Sequence, residues 1–197
     1  DDAPLRAELE AAGVRLRTRS DSEVLLEVFA RRGAPVFAEL RGMFAVCLWD
    51  RRERRLWLAR DAYGIKPLYL SDRGGCLRVA SEARALEAGG QIPAELDPAG
   101  LCGFLLGGAV PEPFTLRRGV RSLPPGSVWC ADARGLREVL PRRGLLQRLA
   151  ELEAARPERA EPSAEFDARV RAAVLDSVRA HTLSSDVPVG LFLSAGI

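Results

Sequence analysis

The chain has 197 residues, of which 47% are hydrophobic and 28% charged, and its formal net charge is +2. This length allows one large domain or two small ones with a real core, the composition fits an ordinary globular protein, and no apolar run approaches the ~18 residues of a spanning helix, so no membrane role is expected. The 29 basic and 27 acidic residues are interleaved, a pattern that argues against nucleic acid or an anionic lipid surface as partner.

Lys66 is the only lysine, and the arginine excess reads as a GC-rich coding bias rather than phosphate recognition. Cys47, Cys76, Cys102 and Cys130 have no metal-ligand spacing. Cys47 and Cys130 lie in apolar runs, where a thiol is expected to act as a small core hydrophobe. With no leader peptide in view, the expected compartment is cytoplasmic.

Taken in chain order, Leu5 and Leu9 predict a short amphipathic helix over Pro4 to Ala12, stopped by Gly13. Val14 to Arg17 alternates as a strand would. Ser20 and Glu23 form a capping box, and Val24, Leu25, Val28 and Phe29 then repeat at helical period up to Gly33. Pro35 to Leu40 predicts a second short helix. Met43 to Trp49 is a continuous apolar strand, Asp50 to Arg55 a charged turn, and Leu56 to Ala59 the return strand of a hairpin. Further strands are expected at Leu68 to Leu70 and Cys76 to Ala80, with turns at Tyr63-Gly64 and Asp72 to Gly75. Short strands at this spacing predict stacked antiparallel sheets with helices outside.

Beyond residue 88, Leu101 to Leu106 is predicted helical, Pro111 and Pro113 break the pattern, and Pro124-Pro125-Gly126 turns into a strand at Ser127 to Cys130. Leu140 to Pro162 reads as a linker with a ragged helix. Ser163 caps a long helix to Ala180 with Phe166, Val170, Val174 and Val178 at four-residue steps. The apolar run Val187 to Leu193 then leads into Ser194-Ala195-Gly196. A buried parallel strand delivering a small-residue loop is the usual opening of a phosphate-binding turn.

Four blocks in order resemble glutamine-hydrolysing asparagine synthetase. They are Ser20-Asp21-Ser22-Glu23-Val24-Leu25-Leu26, Leu40 to Ala45, Leu58-Ala59-Arg60-Asp61 through Gly64-Ile65-Lys66-Pro67-Leu68-Tyr69, and Ser185 to Ile197. Ala80-Ser81-Glu82 and Leu123-Pro124-Pro125-Gly126 fit the same pattern. The first three blocks alone suit any class II glutamine amidotransferase; the terminal loop resembles the Ser-Gly-Gly-x-Asp-Ser pyrophosphate loop of ATP-pyrophosphatases. The resemblance implies an α+β N-terminal-nucleophile amidotransferase sandwich (αββα, incomplete), followed by the start of an α/β ATP-pyrophosphatase domain. The corresponding divisions are 1–139 for the amidotransferase, 140–162 for the linker and 163–197 for the beginning of the ATP-binding domain.

The chemistry so implied uses glutamine as nitrogen donor, aspartate as acceptor, and ATP with magnesium as activator, with homo-oligomerisation through the amidotransferase half left open. In that family an N-terminal cysteine attacks the glutamine amide, with its own α-amino group as base. None of the four cysteines here is terminal, so the expectation is a fragment truncated at both ends, without a catalytic residue and inactive alone. Asp21 complements the helix dipole, which suffices to explain its type; by resemblance it pairs with the α-amino group of bound glutamine. Phe192 matches the position whose main chain meets adenine, and Ser194, Ala195 and Gly196 match the pyrophosphate loop, with Ala195 where glycine is usual.

Arg60 and Asp61 are expected to form an ion pair that fixes a strand connection. Glu82 suits helix capping or a fold-internal hydrogen bond, and His181, the only histidine, suits a helix C-terminus. Two other readings remain: an intramolecular amide-forming synthetase of the β-lactam or lasso-peptide type, and a non-catalytic remnant serving as an interaction module.

Overall fold

The computed structural model describes residues 3–90, 92–140, 145–155, 163–183, 187–190 and 192. It divides into two compact units, one made of residues 1–33 with 153–197 and the other of residues 34–152.

In the first unit, helix α1 (Ala3–Ala11) and helix α2 (Asp21–Arg32) pack together. Leu9, Val24 and Val28 are buried, as the helical period of the sequence requires. Gly33 ends α2 at φ 68°, donating its N–H to the Phe29 carbonyl at 2.8 Å. Val14 to Arg17, predicted as a strand, adopts none and pairs with no strand among the described residues. Helix α7 (Ser163–Leu183) is longer than predicted, and Phe166, Val170, Val174 and Val178 along it are exposed. Of the predicted strand Val187 to Leu193, residues Val187–Gly190 and Phe192 are exposed and adopt no strand. A strand needs a neighbouring backbone to satisfy its N–H and C=O groups, and among the described residues of this unit no strand exists to supply one.

The second unit is a two-sheet sandwich. One sheet has strands β1 (Ala45–Asp50), β2 (Arg55–Arg60), β6 (Val128–Asp132) and β7 (Gly135–Leu140) in the order β1-β2-β6-β7, all antiparallel. The other has β3 (Tyr69–Ser71), β4 (Arg78–Ala80) and β5 (Arg121–Ser122) in the order β4-β3-β5. Leu58 from β2 and Leu70 from β3 meet with Leu68 and Leu123 in one buried cluster. The sheets therefore face each other through their alternate residues. On the far side of the smaller sheet, Leu86 of helix α4 (Ala83–Ala88) packs with Ile92, Val120 and Tyr69. Short helix α3 (Val36–Glu39) buries Val36 and Phe37, and helix α6 (Leu145–Ala154) follows β7.

Cys130 is buried, as expected, and burial pushes its thiol pKa up. Cys47, expected in the core, is exposed. It lies on β1, the outer strand of its sheet, where composition is apolar but cover is lacking.

Helix α5 (Pro98–Gly107) starts earlier than predicted. Asp97 caps it by accepting from the Ala99 and Gly100 N–H groups, and Pro98 occupies the first turn. The helix presses against the segment after it. A Cβ on Gly100 would lie 2.1 Å from the Thr115 carbonyl oxygen, and one on Gly103 would lie 2.3 Å from Pro111 Cδ. Gly100→Ala is therefore expected to lower stability by about 1–3 kcal/mol, despite alanine's better helix propensity. The urea midpoint should fall with unchanged slope; an unchanged midpoint would mean that the contact yields freely.

Candidate functional site

Two of the sequence blocks resolve into defined local geometry, one in each unit. In the first, Ser20 takes an extended conformation before α2 and its Oγ accepts from the Ser22 N–H at 3.2 Å. The reciprocal half of the expected capping box is replaced by a wider clamp. Glu23 accepts from the Arg17 N–H at 2.8 Å, the Thr18 N–H at 2.6 Å and the Thr18 hydroxyl at 2.6 Å. The Ser20 N–H donates instead to Thr18 Oγ1 at 3.1 Å. The Thr18 hydroxyl, then the Arg17 N–H, hold the Glu23 pKa below its ordinary value.

This clamp presents Asp21 at the first residue of α2. Asp21 is exposed, and the Ser22 hydroxyl lies beside its Oδ1 at 3.5 Å, at the limit of a hydrogen bond. Its exposed carboxylate stands in the first turn of α2, where it complements the helix dipole.

In the second unit, Arg60 and Asp61 do not pair with each other. Consecutive residues leaving a strand point to opposite sides, and each binds a different set of groups. Arg60 is 5% exposed. Its Nε donates to the Lys66 carbonyl at 2.8 Å and its Nη2 to the Gly64 carbonyl at 2.7 Å. Its Nη1 reaches the Leu123 carbonyl at 2.7 Å, Ser122 Oγ at 2.8 Å and Glu112 Oε1 at 2.9 Å. Asp61 is also buried; its carboxylate accepts from the N–H groups of Tyr63, Ile65 and Lys66 at 3.0–3.1 Å. Its main chain donates to the Phe44 carbonyl at 3.0 Å and accepts from the Gly126 N–H at 2.8 Å.

The blocks around Phe44, Arg60 to Pro67 and Leu123 to Gly126 are thereby tied into one knot. Gly64 fits this site for two reasons. Its φ is +66°, and an added Cβ would lie 2.9 Å from both the Arg60 guanidinium carbon and Pro125 Cγ. Sequence reasoning missed Glu112, whose flanking prolines signalled only a break; it also missed the Thr18–Glu23 clamp.

Glu82 sits at the N-cap of α4 without a side-chain capping bond, and His181 Nδ1 lies 2.7 Å from the Ser177 carbonyl. Phe192 is fully exposed, and Ser194, Ala195 and Gly196 lie outside the described residues. Among the described residues no group of three His, Cys, Asp or Glu side chains is placed to hold a metal ion. No helix among them is long and apolar enough to cross a membrane.

The family model of the glutamine amidotransferase domain matches residues 3–140. The chain belongs to this family. The chain is 36% identical over 193 residues to asparagine synthetase [glutamine-hydrolyzing] 1 of Bacillus subtilis, covering 98% of this chain and 29% of that protein. It is 38% identical over 198 residues to a putative asparagine synthetase [glutamine-hydrolyzing] of Mycobacterium bovis, covering 98% of this chain and 29% of that one. A Penicillium rubens protein named amidase chyE is 32% identical over 193 residues, covering 90% and 25% respectively. The chain therefore spans less than a third of these relatives. Among solved structures, a glutamine phosphoribosylpyrophosphate amidotransferase from B. subtilis aligns with 70% of this chain and 26% of its own, at 23% identity and a TM-score of 0.46.

Two outcomes are expected. Asp61→Asn puts an amide N–H against one of the three backbone donors, and should cost about 1–3 kcal/mol by urea unfolding; a neutral result would mean the loop is held without the carboxylate. The Glu23 clamp should be complete above the ordinary carboxylate pKa and be lost as pH falls through Glu23's lowered value. Hydrogen exchange at the Arg17 and Thr18 amides should therefore lose protection on acidification, and Glu23→Gln should abolish that pH dependence.

Proposed function

We propose that this amidotransferase domain binds glutamine and serves a synthetase of the asparagine synthetase kind. The observation that carries the reading is Asp21, an exposed carboxylate held in the first turn of α2 with a single weak neighbour. It suits the α-ammonium of glutamine, and it lies in a block shared with the family. The relatives named asparagine synthetases match nearly the whole chain, which supports aspartate as the acceptor of the released ammonia. ATP and magnesium belong to this reading through the loop at Ser194. Ser194, Ala195 and Gly196 lie outside the described residues, so the chemistry assigned to the described ones is confined to glutamine.

A second reading is favoured by the fungal relatives named amidases: the parent protein closes or transfers a different amide. The codons flanking this sequence separate the two. A cysteine directly after the initiator methionine, together with an Asp-Ser pair following Ile197, fits ammonia transfer to aspartate; another residue at the first position fits the amide-forming alternative.

The biochemical test uses the enzyme made from the whole reading frame. Asp21→Asn should raise KM for glutamine at least ~10-fold, the loss of about one charge-assisted contact. Activity with free ammonia should stay unchanged. An unaltered glutamine KM would leave Asp21 with only its helix-dipole role.

A further inference from the structure

A side chain in the first turn of a helix goes where the backbone before it goes. Among the described residues the Asp21 carboxylate meets only the Ser22 hydroxyl, at 3.5 Å, so its place is set by the stretch from Arg17 to Ser20. That stretch belongs to no helix or strand, and its N–H and C=O groups need other partners. A capping box would close Glu23 onto the Ser20 N–H alone. Here the carboxylate reaches further back. It accepts from the Arg17 N–H, the Thr18 N–H and the Thr18 hydroxyl at 2.6–2.8 Å. The Thr18 oxygen in turn accepts from the Ser20 N–H at 3.1 Å, and a hydroxyl that donates to a carboxylate becomes a stronger acceptor. From α1, Arg6 donates to the Thr18 and Ser20 carbonyls at 3.2 and 3.4 Å. Ser20, directly before Asp21, is therefore gripped through both its N–H and its C=O.

We propose that Thr18 and Glu23 are positioning residues for glutamine. The relay from the Glu23 carboxylate through the Thr18 hydroxyl to the Ser20 amide sets where Asp21 stands before the substrate arrives. This inference rests on the reading of Asp21 as partner of the glutamine α-ammonium. Helix capping alone does not need so long a reach, since Ser20 Oγ already caps α2 through the Ser22 N–H at 3.2 Å. A charge-assisted bond to a substrate does need it. Such a bond weakens when its acceptor is slightly misplaced, and a loop ordered in advance spares binding the cost of ordering it. Thr18 and Glu23 thus act on glutamine through Asp21.

The test is a mutant cycle in the enzyme made from the whole reading frame. Thr18→Val keeps the size of the side chain and removes its hydroxyl, and it should raise the glutamine KM ~3–10-fold with kcat held. Glu23→Gln should act in the same direction. Thr18→Ser, which keeps the hydroxyl, should recover most of the loss. In the Asp21→Asn background Thr18→Val should add nothing, because a residue that works through a carboxylate is silent once that carboxylate is gone. Val28→Ala opens a cavity on the buried face of α2. It should lower the urea midpoint more than Thr18→Val does and leave the glutamine KM where it was. The proposal alone falls if Asp21→Asn raises KM and Thr18→Val does not, or if their effects multiply in the double variant. It also falls if Thr18→Ser recovers nothing, or if Val28→Ala raises KM as Thr18→Val does. An unaltered glutamine KM in Asp21→Asn brings down the glutamine reading itself, and this inference with it.

Discussion

The buried guanidinium of Arg60 is the constraint on which the second unit depends. An arginine withdrawn from water must spend its donors on fixed acceptors, and here these come from three separate stretches of chain: the Gly64–Lys66 turn, the Ser122–Leu123 strand end, and Glu112. Asp61 does the converse one residue later, collecting three backbone N–H groups from the same turn. Two oppositely charged neighbours thus organise one loop by facing away from each other. Removing either would leave its acceptors or donors buried without partners, which costs more than the bonds themselves contribute.

That knot explains why blocks far apart in sequence are recognisable together. Pro125 closes on Gly64, Gly126 donates to the Asp61 carbonyl, and Phe44 accepts from the Asp61 amide. The Arg-Asp-x-x-Gly motif and the Pro-Pro-Gly motif are two halves of one structural device. The knot buries its charged groups in scaffold, whereas Asp21 keeps its carboxylate exposed at the start of α2.

Helices α1 and α2 and the first hairpin are legible because their signals are local, whereas α4 is not predicted as an element. The helical period from Val24 to Phe29 and the charged turn at Asp50 to Arg55 each lie within a dozen residues. α5 carried a signal that was missed, the Asp97-Pro98 cap and first turn. β7 has no steady alternation and β5 is only two residues long, so neither announces itself. The Arg60–Asp61 ion pair was expected from adjacency, yet strand geometry turns neighbours to opposite sides. Glu112 lies 52 residues from Arg60, and nothing local marks that meeting. Cys47 was placed in the core by its apolar neighbours, whereas its exposure follows from sheet order, a property of the whole topology.

The outer position of β1 has one more consequence. Among the described residues only β2 pairs with it; it runs from Ala45 to Trp49 without a charge, a proline or a glycine, and Trp49 stands half open beside it. Natural sheets usually blunt such a border with lysine, proline or a bulge, and none of these guards it here. β7, the opposite border, carries Arg137 and Glu138. Among the described residues the larger sheet is therefore polarised: one margin carries opposite charges, while the other is apolar almost to its end.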